Sequence, residues 1–400
     1  MYRWWPLSAF LFAGILAVVG GCSLYGPQLT PPSHLAYNEA VQQTEQRELL
    51  LNLVRLRYLD GPEFLSISSI SSQMRFDAAA SLSGDFGDDG GSTARLITPG
   101  ASVQYSESPT ITFVPQHDDE FMRRLVSPIS LDSLYLLTRY GWSLERVLSL
   151  ISEEVNGFRN PAPREEVSTE DRSDFVQFAR LARTMQQYHD RHWIDIDAVD
   201  EWLPLGDPVP SDRVSIQDYL NAADRDIRLA YDSESTAYTL EARTNRYVLQ
   251  VASEARESTE FRELLDLLGL QPGSAHYDID STTAMALDRE SITIRTRSVL
   301  SAMASLSNGV SVPGNDLTNG TAGRNVLDAQ EGSVPIRILS APEPPTNAFL
   351  SVPYRGSWFF IDMGDLDSRR TLGALSSLVR LEIGAGGDQI APVLTLPVAR

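Results

Sequence analysis

The sequence predicts an α+β fold, with antiparallel hairpins and segregated helices closing on a C-terminal strand-hairpin-helix-strand unit. Three observations predict it. Apolar residues recur at i, i+3, i+4 and i+7 in some stretches, such as Leu49–Leu56 and Phe175–Met185. They alternate in others, such as Tyr238–Val251 and Ala348–Ile361. At 42% apolar residues, the 400-residue chain has enough hydrophobic material to bury a core.

Arg3 and the N-terminal amine precede the apolar run Leu7–Val19, which matches a signal-peptide core and is short of the ~20 residues of a spanning helix. Val19-Gly20-Gly21-Cys22 then resembles the lipobox of bacterial lipoprotein signal peptides. Val19 stands where Leu is usual and Gly20 where Ala or Ser is usual. Small residues there let a peptidase approach the backbone. The alternative is an ordinary secretory signal or an uncleaved anchor. The resemblance implies removal of residues 1–21, diacylglycerol on the Cys22 thiol and acylation (palmitate or a similar chain) of the new amino group. Several acyl chains anchor far more firmly than one. Ser23, in place of the Asp that often retains such proteins at the inner membrane, favours the outer membrane with the body facing the periplasm.

Cys22 is the single cysteine, so once lipidated it leaves no thiol for a disulfide, a zinc–thiolate site or a nucleophile. Every one of the 33 basic residues is arginine. Without lysine, P-loop phosphate binding, Schiff-base chemistry and Ser–Lys dyads are excluded. The formal net charge of −20 repels nucleic acid phosphates and anionic headgroups, so neither is expected as a partner. The acidic, lysine-free composition suits either a salty habitat or a GC-rich genome.

The pattern divides the chain into 1–21 (signal), 22–36 (Pro-rich extended tether), 37–160, 161–290 and 291–400, the last three able to form one globule. Tyr37–Tyr58 reads as a helix stopped by Asp60-Gly61-Pro62. Phe64–Phe76 reads as a strand continuing toward Phe86, with Ile70 out of phase. A turn at Asp85–Gly91 joins it to a partner around Ser102–Val114. Helices are expected at His117–Val126, Ser130–Tyr140, Ser143–Val155 and Thr169–Arg191, with a breaker at Asn156–Arg164. Glu201–Val214 reads as a connector and Ser215–Ala223 as a helix. Tyr238–Val251 reads as a hairpin turning at Thr244-Asn245. Ser258–Leu268 is a helix closed by Gly269. A strand at Ile292–Ile294, a helix at Ser298–Ser307 and a loop at Pro313–Arg324 follow. The end reads as strands Pro335–Leu339, Ala348–Tyr354 and Ser357–Ile361, a helix Ser368–Glu382 capped by Gly384, and a last strand Ile390–Pro397.

Two carboxylate-rich stretches are candidate metal sites. His189 and His192 are three apart, sharing a face if helical, with Asp195, Asp197 and Asp200 beyond. Exposed or hydrogen-bonded histidines are the competing reading. Asp362, Asp365 and Asp367 either cap the following helix or, with turn carbonyls, hold calcium. His34, in the tether, and His117 are set aside, which leaves His189, His192 and His276 as candidate bases. No GxSxG elbow, HExxH helix or strand-borne GxGxxG is present, and no cofactor is expected.

Arg295–Pro313 (RTRSVLSAMASLSNGVSVP), Pro353–Leu378 (PYRGSWFFIDMGDLDSRRTLGALSSL) and the closing APVLTLPV resemble a family of uncharacterised bacterial lipoproteins. Arg369 stands where that family commonly has Lys, and Leu372 where it has Phe. The resemblance covers about a third of the chain, implies one continuous fold and transfers no catalytic residue. The expected function is a membrane-anchored envelope lipoprotein, held in membrane lipid through Cys22, that acts without catalysis as a structural or protein-interaction component. The alternative is a periplasmic hydrolase, with or without a metal, using His189 or His192.

Overall fold

A computed structural model describes residues 30–84, 97–116, 118–160, 169–225, 227–281, 289–322 and 335–384. The signal stretch, Cys22, the turn at 85–91, His117 and the expected strand Ile390–Pro397 lie outside them. In chain order the elements are α1 (Thr30–Arg57), β1 (Leu65–Gly84), β2 (Ile97–Pro115), α2 (Asp119–Val126), α3 (Leu131–Arg139), α4 (Leu144–Ile151), β3 (Ser152–Val155), β4 (Phe158–Arg159) and α5 (Thr169–Asp190). Then come β5 (Ile194–Pro204), β6 (Val209–Pro210), α6 (Ile216–Ala223), β7 (Ile227–Asp232), β8 (Ala237–Val251), α7 (Ser253–Glu257), α8 (Thr259–Leu268), β9 (His276–Asp280) and β10 (Ser291–Thr296). The chain ends with α9 (Val299–Ser307), α10 (Gly314–Thr318), β11 (Leu339–Ala341), β12 (Ala348–Tyr354), β13 (Ser357–Asp362) and α11 (Leu366–Gly384). The class is α+β.

Two units divide these elements: one is Met1–Pro62 with Leu125–Glu382, the other Glu63–Arg124 with Ile383–Arg400. In the larger unit, one sheet runs β4-β3-β10-β9-β8-β5, with β6 and β7 also paired to β8. It takes strands from all three stretches 37–160, 161–290 and 291–400. The β9–β10 pair is parallel and the other pairs are antiparallel, so the sheet is mixed. A second sheet runs β11-β13-β12. In the smaller unit, β1 and β2 form an antiparallel ribbon of their own.

The core of the larger unit is built from the stripes that helical spacing marks. Leu50, Leu53 and Val54 of α1, Val147 and Ile151 of α4, Phe178 and Met185 of α5, and Met303 of α9 are all buried. α4 packs on α5 and α9, and α1 packs on α9 and β12. A side chain of Leu size buried this way contributes roughly 1.5–3 kcal/mol.

Several expectations are corrected. The tether is helical from Thr30, because Pro31 and Pro32 fall in the first turn, where a missing N–H breaks no intrahelical bond. His34 is therefore helical. The helix over Ser143–Val155 stops at Ile151, and Ser152–Val155 pairs with β10 and β4. Tyr238–Val251 does not turn at Thr244-Asn245. It is one strand, and the turn falls at Ser233–Thr236, where Thr236 has φ 52°. β5 runs on to Pro204 through the expected connector, paired along β8. Gly314–Thr318 is a short helix within the expected loop. The strand expected at Pro335–Leu339 is β11, starting at Leu339. α11 starts two residues earlier than predicted and includes Gly384.

Gly309 needs its missing side chain. A Cβ there would lie 2.1 Å from the Ile336 carbonyl oxygen, where Ile338 N–H bonds back to Gly309 O at 2.8 Å. Backbone cannot yield as a side chain can, so Gly309→Ala should lower stability by about 2 kcal/mol or more. Gly61→Ala, with open space at its Cβ, is the control for thermal melts. Equal melting temperatures for the two variants would contradict this packing.

Candidate interaction surface

The histidine–aspartate stretch does not converge. α5 ends at Asp190, and His192 takes the left-handed conformation (φ 56°) that closes the helix. Its N–H bonds to His189 O and the Trp193 N–H to Tyr188 O, a C-terminal cap built without glycine. His189 Nε2 stands 3.6 Å from Asp195 Oδ1, but Asp195 and Asp197 both pair with Arg139, each at 3.2 Å. Asp200 pairs with Arg243. Trp193 stacks on Tyr188, with Arg191 over both rings. His276, exposed at the start of β9, lies in a shallow surface depression with Asp278, which pairs with Arg246.

The second cluster is likewise dispersed among separate partners. Asp365 caps α11: its carboxylate accepts from Ser368 N at 3.1 Å and Ser368 Oγ at 2.8 Å, and pairs with Arg337 at 3.2 Å. Burial alone would raise its pKa, but these bonds outweigh that and hold it below the ordinary carboxylate value. Asp362 accepts from Gly364 N, while Asp367 faces Arg146 and Arg370. Among the described residues, no three His, Cys, Asp or Glu side chains are grouped to hold a metal ion.

A cavity of about 380 Å³ lies beside this cap, lined by Arg146, Phe175, Phe178, Arg337, Asp365 and Asp367 among others. Its ionic groups are mutually satisfied. Arg146 donates to Thr371 Oγ1, Ser143 Oγ and Asp367. No histidine lines it.

What the sequence reading missed is an arm. From Ala198 to Arg246 the described chain buries only Ala222 and Ala237. Three long strand segments (outer β5, β7, outer β8) carry one short helix, α6, which packs on β7. Of the nineteen exposed large hydrophobic residues among those described, seven fall here: Val199, Leu203, Leu205, Ile216, Tyr219, Leu220 and Tyr231. Ile216 (82% exposed), Tyr219 (55%), Leu220 (53%) and the exposed Ala223 form an i, i+3, i+4, i+7 stripe. That spacing marks the inward face of a helix, yet on α6 it faces solvent. Local bonds start the helix: Ser215 and Asp218 make a reciprocal capping box, with Asp218 N to Ser215 Oγ at 3.2 Å and Ser215 N to Asp218 Oδ2 at 3.0 Å. Ion pairs and stacking support the strands, with Arg228 on Glu241 and over Trp202, and Arg243 on Asp200. The i, i+3, i+4 pattern was visible in Ser215–Ala223. Its lack of a cover was not.

The class these features define is an α+β body with an uncovered apolar helix on a thinly packed arm. No family model, curated protein or solved structure matches the chain.

Two outcomes follow. Asp365→Ala should cost about 1 kcal/mol at neutral pH. The carboxylate's contribution is present above its unfolded pKa of about 3.9 and lost as pH falls through the lower folded value. The gap between wild type and variant should therefore close below about pH 4, and EDTA should leave both melting temperatures unchanged. A reversible EDTA shift abolished in the variant would restore the calcium reading. Hydrogen exchange should also be much faster in α6 and β7 than in α4 and β10, since few buried contacts hold the arm. Protection of α6 equal to that of α4 would mean that its outer face is covered.

Proposed function

We propose that this protein is a lipid-anchored envelope component that works by binding other proteins, held at the periplasmic side of the outer membrane through acyl chains on Cys22. The uncovered stripe of α6 carries the reading. Water-exposed apolar side chains at helical spacing are the form in which helix-in-groove recognition presents its anchors. Tyr219 and Trp202 add the large amphipathic side chains enriched at interfaces. The net charge of −20 argues against nucleic acid as the partner. The lipobox-like Val19–Cys22 supports the membrane anchor.

Cys22→Ser should abolish metabolic palmitate labelling and the lipoprotein-type processed band. Label persisting on the variant would sink the anchor. A photoreactive phenylalanine analogue at Tyr219 should give one discrete cross-linked band in intact cells, at least several-fold weaker in Ile216→Gln/Leu220→Gln. A band unchanged by those substitutions would remove α6 from the interface.

A further inference from the structure

We propose that the β1–β2 ribbon inserts into a lipid bilayer and that several copies of this chain close it into a transmembrane β-barrel, two strands from each. The inference rests on the membrane placement read from Cys22 and on nothing about α6.

Register carries the argument. The paired positions Ile67↔Phe113, Ile70↔Ile111, Phe76↔Tyr105, Ala78↔Val103, Ala80↔Ala101 and Leu82↔Pro99 fall on one face of the ribbon. The intervening pairs Ser69↔Thr112, Ser71↔Thr110, Gln73↔Ser108, Asp77↔Gln104, Ala79↔Ser102, Ser81↔Gly100 and Ser83↔Thr98 fall on the other. Successive strand residues alternate between faces. The first face also carries Ser72↔Pro109 and Met74↔Glu107, and the second Ser66↔Val114 and Arg75↔Ser106. It is therefore from Phe76↔Tyr105 to Gly84↔Ile97 that one row is apolar and the other, Asp77 aside, small and polar. The register shift between Ile67 and Ser69 keeps this segregation intact. It is the reason that Ile70 reads out of phase in the sequence. Without the shift, every apolar residue after it would change face. Asp77, Ala79, Ser81, Ser102, Gln104 and Thr112, all on the polar face, are exposed.

Length and charge agree with a bilayer. Between Phe76↔Tyr105 and Gly84↔Ile97 the ribbon has nine paired positions, and a tilted membrane strand needs about 9–11 residues. The aromatic pair Phe76↔Tyr105 stands at one end of this block, as an interfacial girdle does. Just outside it, Glu107 lies on the apolar face and Arg75 on the polar face, and Asp77 lies on the polar face within it. Those three are the only charged residues in two strands of 20 and 19 residues, within a chain that is 22% charged. A lipid-facing row of Phe, Ala, Leu and Val backed by Ser, Thr and Gln toward a wet lumen is the pattern of a barrel strand.

Edges then require copies. Among the described residues, β1 pairs only with β2, so no other described strand covers the outer edge of either. Unpaired backbone cannot enter hydrocarbon, and closure is the way a sheet removes its edges. The smallest filled barrels have about eight strands, which sets a floor of about four chains.

The test uses the full-length protein with its lipid, purified in detergent and reconstituted in phosphatidylethanolamine–phosphatidylglycerol vesicles. Single cysteines at Ala78, Ala80 and Val103, and at Ala79, Ser81 and Ser102, carry an environment-sensitive dye, since lipid blocks Cys22. The first three should emit blue-shifted light and be quenched by iodide several-fold less than the second three, and chemical cross-linking should give a ladder to at least four copies. Equal iodide quenching at all six sites overturns the inference. So does shielding of the first three that persists without lipid, which would mean that protein covers this face. Alternation without multimers overturns the barrel. Palmitate label measured on the same preparation separates the readings: label present with no alternation defeats the inference alone, whereas absent label defeats the anchor beneath it.

Discussion

One buried guanidinium determines how the larger unit is joined. Arg297, 3% exposed between β10 and α9, donates from Nη2 to Ser152 O (2.7 Å) and Asn160 O (2.8 Å). Its own N–H donates to Ile151 O, and its carbonyl accepts from Ile129 N. Four separate segments thus meet on one residue: the approach to α3, the α4–β3 junction, the end of β4 and the start of α9. Burial pushes its pKa down to about 10, with Glu153 opposing, so it stays charged at neutral pH. Among the described residues, its Nε and Nη1 have no hydrogen-bond partner. Keeping a charge there is costly, and the return is geometric. A planar fork bridges two carbonyls at fixed separation, which an ammonium on a flexible stem does less well.

That constraint explains where reading by periodicity fails. The apolar spacing of Leu144–Ile151 continues smoothly into Val155, so one helix was the natural reading. Arg297 instead takes the carbonyl of Ser152 and the Ile151 carbonyl accepts its N–H, which leaves the next residues to a sheet ladder. β8 fails for another reason. Thr244-Asn245 has turn composition, but both β5 and β7 pair along this strand, and two ladders outweigh a local preference. Stripes on α1, α4, α5 and α9 were legible because 3.6-residue spacing gathers apolar residues on one side of a helix. There a second layer covers that side, as none of the described residues does on α6. The candidate metal residues were legible as clusters in sequence only. His192 is turned by a left-handed cap, and each aspartate already has an arginine or a backbone N–H.

The arm and the ribbon share a physical property that composition does not reveal. Both put apolar residues at regular spacing on elements that lack a second layer among the described residues. On the arm, the buried residues are two alanines, too little side chain to hold three strand segments and a helix by burial. The β5–β8 and β7–β8 ladders order the strands, and capping, ion pairs and cation–π contacts add to them, each roughly 1 kcal/mol or less at exposed sites. Such contacts fix a shape without hiding a surface. This is the state expected of an element whose cover is another molecule.

Assembly of the proposed kind would also have to overcome the chain's own charge. With a net charge of −20, copies repel one another beyond contact, over a range near the ~8 Å Debye length at physiological salt. Two features of the sequence work against that repulsion. The ribbon strands hold only Arg75, Asp77 and Glu107, so the surfaces that would meet are nearly neutral. Acyl chains on Cys22 would confine all copies to one surface, where the effective concentration of tethered partners reaches the millimolar range. Each hairpin that enters hydrocarbon with an open edge leaves N–H and C=O groups costing several kcal/mol apiece. The penalty grows with strand length and disappears only on closure. In the proposed assembly, partial rings would therefore be unstable in lipid, and the nine-pair block from Phe76↔Tyr105 to Gly84↔Ile97 would make the closed ring the favoured membrane state.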